Sequence, residues 1–334
     1  MTIRIIRKWG IVVASLAAAV SVMFTTVEAY AASSALPNEE SQIYNEQAGG
    51  QNVRGRGAAE AYDTNGNHMT VWRALDNNAI WSSINNQPAV QMVPGSATAT
   101  QPWITSAGGN GWWVFHTGGG GQIYVLRAYA DGSHSGWTAI SGTTTEDLLP
   151  GSASAGPEGS FMIAWHGRGN NNISARFYNG YAFGGIYTFG NAQSMYPPAV
   201  AYNWQSSRYV IAHVGSDNQT YTAWQAYGYG VWNGWYNHGG SARSQPALAA
   251  LHNGNMELAI LGADLVTWSQ ELNNYGVGYG DGLGWSRETS GTGTFFPPVL
   301  VENRPNGAAS TIFLLLTVWD TYNVVYKRNM FEGP

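Results

Sequence analysis

The sequence predicts an all-β chain, a six-bladed β-propeller of four-stranded antiparallel blades with seven blades as the alternative count. Three observations carry this prediction. Gly supplies 43 of 334 residues, with 15 Trp and 19 Tyr, a composition rich in turns and aromatic rings. Prolines in similar settings recur at Pro102, Pro150, Pro197, Pro246 and Pro297, a beat of about 48 residues that marks a repeat architecture. Gly-Trp pairs beginning at Gly136, Gly234 and Gly284 keep the same interval, with Gly185-Ile186 at the skipped position.

Each unit has the same internal order. A Pro-led run comes first, then a Gly or Asn turn, an apolar strand, a second turn, an aromatic strand and the Gly-Trp segment. The second strands read Thr70–Arg73, Trp113–His116, Ile163–His166, Val210–His213, Leu258–Leu261 and Leu314–Thr317. These are nearly continuous apolar runs, as expected of strands buried on both faces. The third strands carry Trp81, Tyr124, Ser174, Tyr221, Trp268 and Tyr326. Asp131-Gly132, Asn179-Gly180 and Asp281-Gly282 supply residues that tolerate positive φ in the hairpins after them. Starting near Val53, the units break at about 101, 149, 196, 245 and 296, each four-stranded and 40 to 50 residues long, the mark of radial repetition. The sixth unit lacks a Gly-Trp strand, and Ser41–Gln47 is expected to supply it.

Composition bounds the function. Hydrophobic residues make up 44% of the chain, which excludes a disordered polymer. Charged residues are only 10%, the net charge is −5, and Lys8 and Lys327 are the two lysines. No basic footprint exists for phosphates, so nucleic-acid binding is not expected. Arg4, Arg7 and Lys8 precede an apolar run from Ile11 to Phe24 and then Ala29-Tyr30-Ala31, the pattern of a secretory signal cleaved after Ala31. That run is too short to span a bilayer. The expected organisation is a signal peptide at 1–31, an N-terminal segment at 32–52 and one propeller domain at 53–334. Cysteine is absent, so an exported fold relies on its core, and thiol chemistry is excluded.

The candidate ligand-binding residues are aromatic or imidazole-bearing. Trp137, Trp235 and Trp285 recur on the repeat beat, where they either pack between blades or line sites. Trp103, Trp112, Trp204 and Trp232 sit at irregular, turn-adjacent positions, and Trp165 and Trp268 lie in the strands. An indole offers a flat apolar face and one polar handle, suited to stacking on a sugar ring. Arg73, His116, His166 and His213 close the second strands at matching or neighbouring positions and are expected to converge on one face of the ring. They could contact a polar ligand; metal ligation needs tighter convergence, and neither metal nor cofactor is expected.

Asp131–Gly136 resembles the start of a calcium loop, but Gly142 stands where the bidentate Glu belongs, so a hairpin turn is expected. No His-Glu-x-x-His, Gly-x-Ser-x-Gly, Walker A or Gly-x-Gly-x-x-Gly pattern occurs. Glycosidic hydrolysis commonly needs two carboxylates at a set separation. The candidates are Asp63, Asp76, Glu146, Asp147, Glu158, Asp217, Glu257, Asp264 and Asp320.

The repeat Pro-Ala, small turn, Val-Phe-His or Ala-x-x-Gly, Asx turn, aromatic, Gly-Trp resembles the Photorhabdus-lectin-like β-propeller lectins, and more loosely the fucose-binding and tachylectin-like propellers. Ser244–Glu288 carries the likeness best, through Ser244-Gln245-Pro246-Ala247, Leu258–Asp264, Thr267-Trp268 and Gly282–Trp285. The resemblance spans 53–334 and implies several carbohydrate sites in clefts between adjacent blades, lined by Trp, Tyr and polar or Arg residues. The expectation is a secreted, lectin-like propeller with multiple shallow inter-blade sites, its partners glycans, polysaccharides or cell-surface glycoconjugates. A glycoside hydrolase or polysaccharide lyase on the same scaffold, and an extracellular protein-interaction scaffold, remain the alternatives.

Overall fold

A computed structural model of the chain describes residues 58–74, 77–145, 149–226, 230–278, 284–288, 297–303, 311–317 and 325–332. The expected signal peptide, the Ser41–Gln47 segment and the Asp281-Gly282 hairpin lie outside them.

The repeat units are sheets. The first blade holds β1 (Ala58–Tyr62), β2 (His68–Arg73), β3 (Ile80–Ile84) and β4 (Val90–Gln91). The second holds β5 (Trp103–Ser106), β6 (Gly111–Thr117), β7 (Gln122–Tyr129) and β8 (Thr138–Thr144). The third holds β9 (Ser152–Ala155), β10 (Phe161–His166), β11 (Asn172–Tyr178) and β12 (Phe183–Gln193). The fourth holds β13 (Ala199–Asn203), β14 (Arg208–Val214), β15 (Thr220–Trp224) and β16 (Tyr236–Asn237). The fifth holds β17 (Ala247–Ala250), β18 (Met256–Leu261), β19 (Thr267–Leu272) and β20 (Ser286–Arg287). A last sheet comprises β21 (Val299–Asn303), β22 (Thr311–Thr317) and β23 (Val325–Glu332). Pairing within every sheet is antiparallel and sequential.

The blade count expected from the sequence is corrected. The described residues form five four-stranded blades, and the sheet after them has three strands. Among the described residues the last sheet has no fourth strand, and Ser41–Gln47, the stretch expected to provide one, lies outside them.

Innermost strands neighbour one another in the order β1, β5, β9, β13, β17, β21 and back to β1. Each follows within a few residues of a repeat break. They surround a central channel whose walls include Glu60, Trp103, Ala153, Val200, Leu248 and Leu300.

The core lies in the seams between sheets. Strand alternation puts Tyr209 and Ile211 of β14 with Met162 and Ala164 of the third blade. Val210 and Ala212 of the same strand pack with Leu248 and Leu258 of the fifth. A second strand therefore has no solvent face, which is why it reads as a continuous apolar run. The same logic joins the first two blades through Met69, Val71, Trp112 and Leu126, and the second and third through Phe115, Phe161, Ile163 and Trp165. The expected hairpins at Asp131-Gly132 and Asn179-Gly180 are present, with Gly132 at φ 85° and Gly180 at φ 95°.

Candidate functional site

The seam between the third and fourth blades opens into a cleft of about 440 Å³, with Asn191 and Gln193 of β12 on one side and His213, Asp217, Tyr221 and Trp235 of the fourth blade on the other. Register builds its inner wall. His213 of β14 pairs with Tyr221 of β15, and their rings stack at 5.4 Å and 25°. Trp235, from the Gly-Trp segment, meets the imidazole edge-on at 4.4 Å and 69°. Gly215, at the end of β14, admits this arrangement because a Cβ there would lie 2.9 Å from the Tyr221 ring and 2.7 Å from the Asp217 carboxylate.

The cleft is polar but uncharged at its floor. His213 is 4% exposed; desolvation lowers its pKa to about 4, and the Val214 backbone and Asp217 charge oppose only part of that. At neutral pH it is a neutral imidazole. At the mouth, Tyr221 Oη donates to Asp217 at 2.7 Å, and the Gln219 backbone N–H donates to the same carboxylate at 3.1 Å. These bonds hold the Asp217 pKa below, and the Tyr221 pKa above, their ordinary values. The arrangement offers an aromatic wall, a fixed anion and amide groups, which suit a neutral polyhydroxylated ring.

The triad recurs. His116 of β6 stacks on Tyr124 at 5.0 Å and 12° and meets Trp137 edge-on at 4.4 Å and 74°. Its pKa is also pushed down to about 4 by burial. The corresponding pairs elsewhere are Trp72 with Trp81, Trp165 with Ser174, and Ile260 with Trp268.

Arg73 and His166 do not join this set. They pair with Ile80 and Ile173, one residue further along their strands, and a one-residue offset turns a side chain to the opposite face. Arg73 Nη1 donates to Ala99 O at 2.8 Å, and His166 Nε2 lies 2.7 Å from Ser194 O. Both tie their blade to the segment entering the next one. The expected convergence on one face therefore separates into two groups.

The remaining candidates are dispersed. Trp112 is fully buried, its Nε1 donating to Ala61 O at 2.9 Å, and Trp165, 2% exposed, belongs to the core of the next seam. Trp103 faces the channel and stacks on Phe115 at 5.8 Å. Trp204 lines the channel's wider end. Trp232 lines a second cleft on the same seam with Phe183, Ile186 and Tyr187. Trp268 Nε1 donates to Asp264 at 3.2 Å, and Trp285 Nε1 donates to His238 O at 3.1 Å.

The carboxylates are scattered as well. Asp63 accepts the Asn65 and Asn67 backbone N–H groups at 2.9 and 2.8 Å, closing a turn. Asp131 does the same for Ser133 N–H at 2.9 Å, which makes its loop the expected hairpin. Glu158 is exposed in the turn before β10. Glu257 is buried and its pKa is pushed up to about 7 by desolvation, with Ser269 opposing and Glu288 and Glu271 adding to the rise. Asp76, Glu146, Asp147 and Asp320 lie outside the described residues. Among the described residues no group of three or more His, Asp or Glu is placed to hold a metal ion, and no helix is long and apolar enough to cross a membrane.

Sequence reasoning singled out Asp217 only as an acid and did not assign Tyr221, Asn191 or Gln193 to a site. A usable signal existed: an Asp four residues before an aromatic recurs as Asp217/Tyr221 and Asp264/Trp268.

No protein-family model matches the chain, and no curated protein matches it. Solved structures do resemble it. AofleA from Arthrobotrys oligospora superposes with a TM-score of 0.62 at 9% identity, covering 84% of each chain. The Aleuria aurantia lectin, a fungal lectin described as a six-bladed β-propeller with a novel fucose recognition mode, gives 0.56 at 10% identity over 83% of this chain and 92% of that one. The BP39L lectin from Burkholderia pseudomallei gives 0.55 at 16% identity over 80% and 82%. At these identities the likeness is one of fold, and the chain is an all-β propeller similar in architecture to those lectins.

Proposed function

We propose that this protein is an exported lectin that binds neutral sugars noncovalently in inter-blade clefts, the principal one walled by His213, Tyr221 and Trp235. The observation that supports this reading most is the recurrence of one His–Tyr–Trp arrangement in two seams, combined with an open, amide-rimmed cleft at the second. Trp235 would stack on the apolar face of the ring, while Asp217 accepts and Asn191 and Gln193 orient hydroxyl hydrogen bonds. L-fucose is the first probe, because its methyl group adds apolar surface for the indole and because the propellers similar in fold include fucose-binding lectins.

A single shallow sugar site typically binds with millimolar Kd, roughly −4 kcal/mol. Repetition on one rigid ring raises effective concentration at a surface that displays many copies. A glycan array with the secreted protein, paired with a reducing-end assay on the polymers retained, tests the proposal. Retention of neutral glycans without bond cleavage is the expected result. Release of reducing ends would favour a hydrolase, and absence of any glycan signal would favour a protein-binding scaffold.

A further inference from the structure

The β11–β12 hairpin of the third blade carries an aromatic knob at its tip. Tyr181 is 92% exposed, yet its backbone is fixed. Asn179 Oδ1 accepts the Tyr181 and Ala182 backbone N–H groups at 2.9 and 2.8 Å, and Tyr178 Oη donates to Gly180 O at 2.9 Å. Single exposed apolar side chains are ordinary on a protein surface, but this one adjoins a hole. Asn179 and Ala182, on either side of the tip, line a cleft of about 450 Å³ walled by Phe183, Ile186, Tyr187 and Trp232. Ile186, Tyr187 and Val231 are themselves exposed, so apolar surface extends past the cleft.

The strand behind this patch is an edge. β12 closes its sheet on the outside, and Phe183–Gln193 holds neither a charged residue nor a proline, two of the devices that shield an edge strand from pairing. In the first, fourth and fifth blades the outer strands β4, β16 and β20 are two residues long. Charges flank the hairpin instead. Arg176 stands on the cleft rim, its Nε donating to Gly184 O at 2.8 Å and its guanidinium 5.0 Å over the Phe183 ring. Burial alone lowers its pKa, so no carboxylate among the described residues is paired with it. Glu158 is exposed beside the tip, its carbonyl oxygen 3.1 Å from where a Cβ on Gly180 would lie.

We propose that this face joins two copies of the chain in a two-fold dimer, the Tyr181 ring of each seated in the Trp232 cleft of the other. A two-fold axis makes every contact occur twice with the roles exchanged, which suits a hairpin bearing one knob and one hole. The charges fit the same operation. A tip entering the opposite cleft carries Glu158 of one copy towards Arg176 of the other, and the uncharged β12 edges approach without like-charge repulsion. A tyrosine anchor in an aromatic pocket is a common centre of binding energy. A partner of unrelated sequence would have to supply both a ring for the cleft and a pocket for Tyr181; a second copy supplies both already.

Sedimentation velocity of the secreted protein over a concentration series tests this. The expected result is a monomer–dimer equilibrium whose dissociation constant rises at least tenfold in Tyr181→Asp and is unchanged in Val90→Asp, an exposed site on the first blade. Glu158→Lys and Arg176→Glu should each weaken the dimer, and the two combined in one chain should recover part of the loss. Tyr181 projects from a turn, so its replacement leaves the core untouched, and thermal unfolding of each variant checks the fold. A wild type that is monomeric at every concentration, as expected if a sugar or an unrelated protein fills the cleft, would overturn the proposal. So would a dimer indifferent to Tyr181→Asp, or a double charge variant no stronger than either single one.

Discussion

Two seams of this molecule start from the same sequence element and end differently. In the seam before the fourth blade, Trp235 of the Gly-Trp segment stands beside His213 and borders an open cleft. In the seam before the fifth, Trp285 occupies the equivalent position beside Ile260, its nitrogen bonded to His238 O and its ring against Gly240, where an added Cβ would lie 3.2 Å from the indole. Gly240 has φ of 80°, a conformation that suits glycine and lets the incoming chain fold over the ring. The tryptophan borders an open cleft in one seam and is tied by its nitrogen to the incoming chain in the other. The neighbours differ: a neutral imidazole and the long β12 strand stand beside Trp235, an isoleucine and the Gly240 segment beside Trp285.

The first way to sharpen this contrast is to remove each indole. Trp285→Ala should cost about 1–2 kcal/mol of stability, since it removes a half-buried ring from Ile260 and Gly240 and leaves His238 O without its donor, with sugar binding intact. Denaturant unfolding and titration on the same sample check both parts. Trp235→Ala should reverse the pattern, weakening sugar binding at least tenfold, about 1.4 kcal/mol, with the smaller change in unfolding midpoint.

Acidification probes the buried imidazoles. His116, His213 and His238 have folded-state pKa values near 4, below the ordinary 6.5, chiefly through desolvation. Between those values the unfolded state binds more protons, so stability is undiminished above about pH 6.5 and falls as the pH drops towards 4. Each group contributes up to about 3 kcal/mol to that loss. Glu257 works in the opposite sense, because a folded-state pKa near 7 against 4.5 makes the folded state lose stability as pH rises through that window. Three groups outweigh one, and melting temperature should fall from pH 7 to pH 4.5. Glu257→Gln should steepen that fall and gain on the wild type by about 3 kcal/mol between pH 4.5 and pH 8, which parallel unfolding curves will show.

A smaller effect is expected at the mouth of the open cleft. Asp217→Asn keeps the shape but removes the charge that accepts the Tyr221 hydroxyl, so sugar affinity should drop about threefold to tenfold, within the roughly 1 kcal/mol of a single hydrogen bond. Calorimetric titration reads it directly.

Much of the scaffold was legible before any coordinates. The proline beat falls between successive sheets, and the apolar runs ending at Arg73, His116, His166 and His213 lie within β2, β6, β10 and β14. The site was legible only in part. Counting residues placed Arg73 and His166 with the other two, but hairpin register sets which face a strand end presents, and those two fall one pairing later. Trp112 and Trp165 looked available because an excess of indoles suggested exposed ones; the seams between sheets absorb them instead. The last unit stood out by its lack of a Gly-Trp pair, although the count of six four-stranded blades drawn from the repeat required correction.

The most direct measurement of the central claim is a side-by-side titration of the wild type, Trp235→Ala and Trp285→Ala with L-fucose, followed by calorimetry. The account predicts saturable millimolar binding to the wild type and to folded Trp285→Ala, and none detectable to folded Trp235→Ala. Equal binding by all three proteins, or loss only in Trp285→Ala, would contradict it.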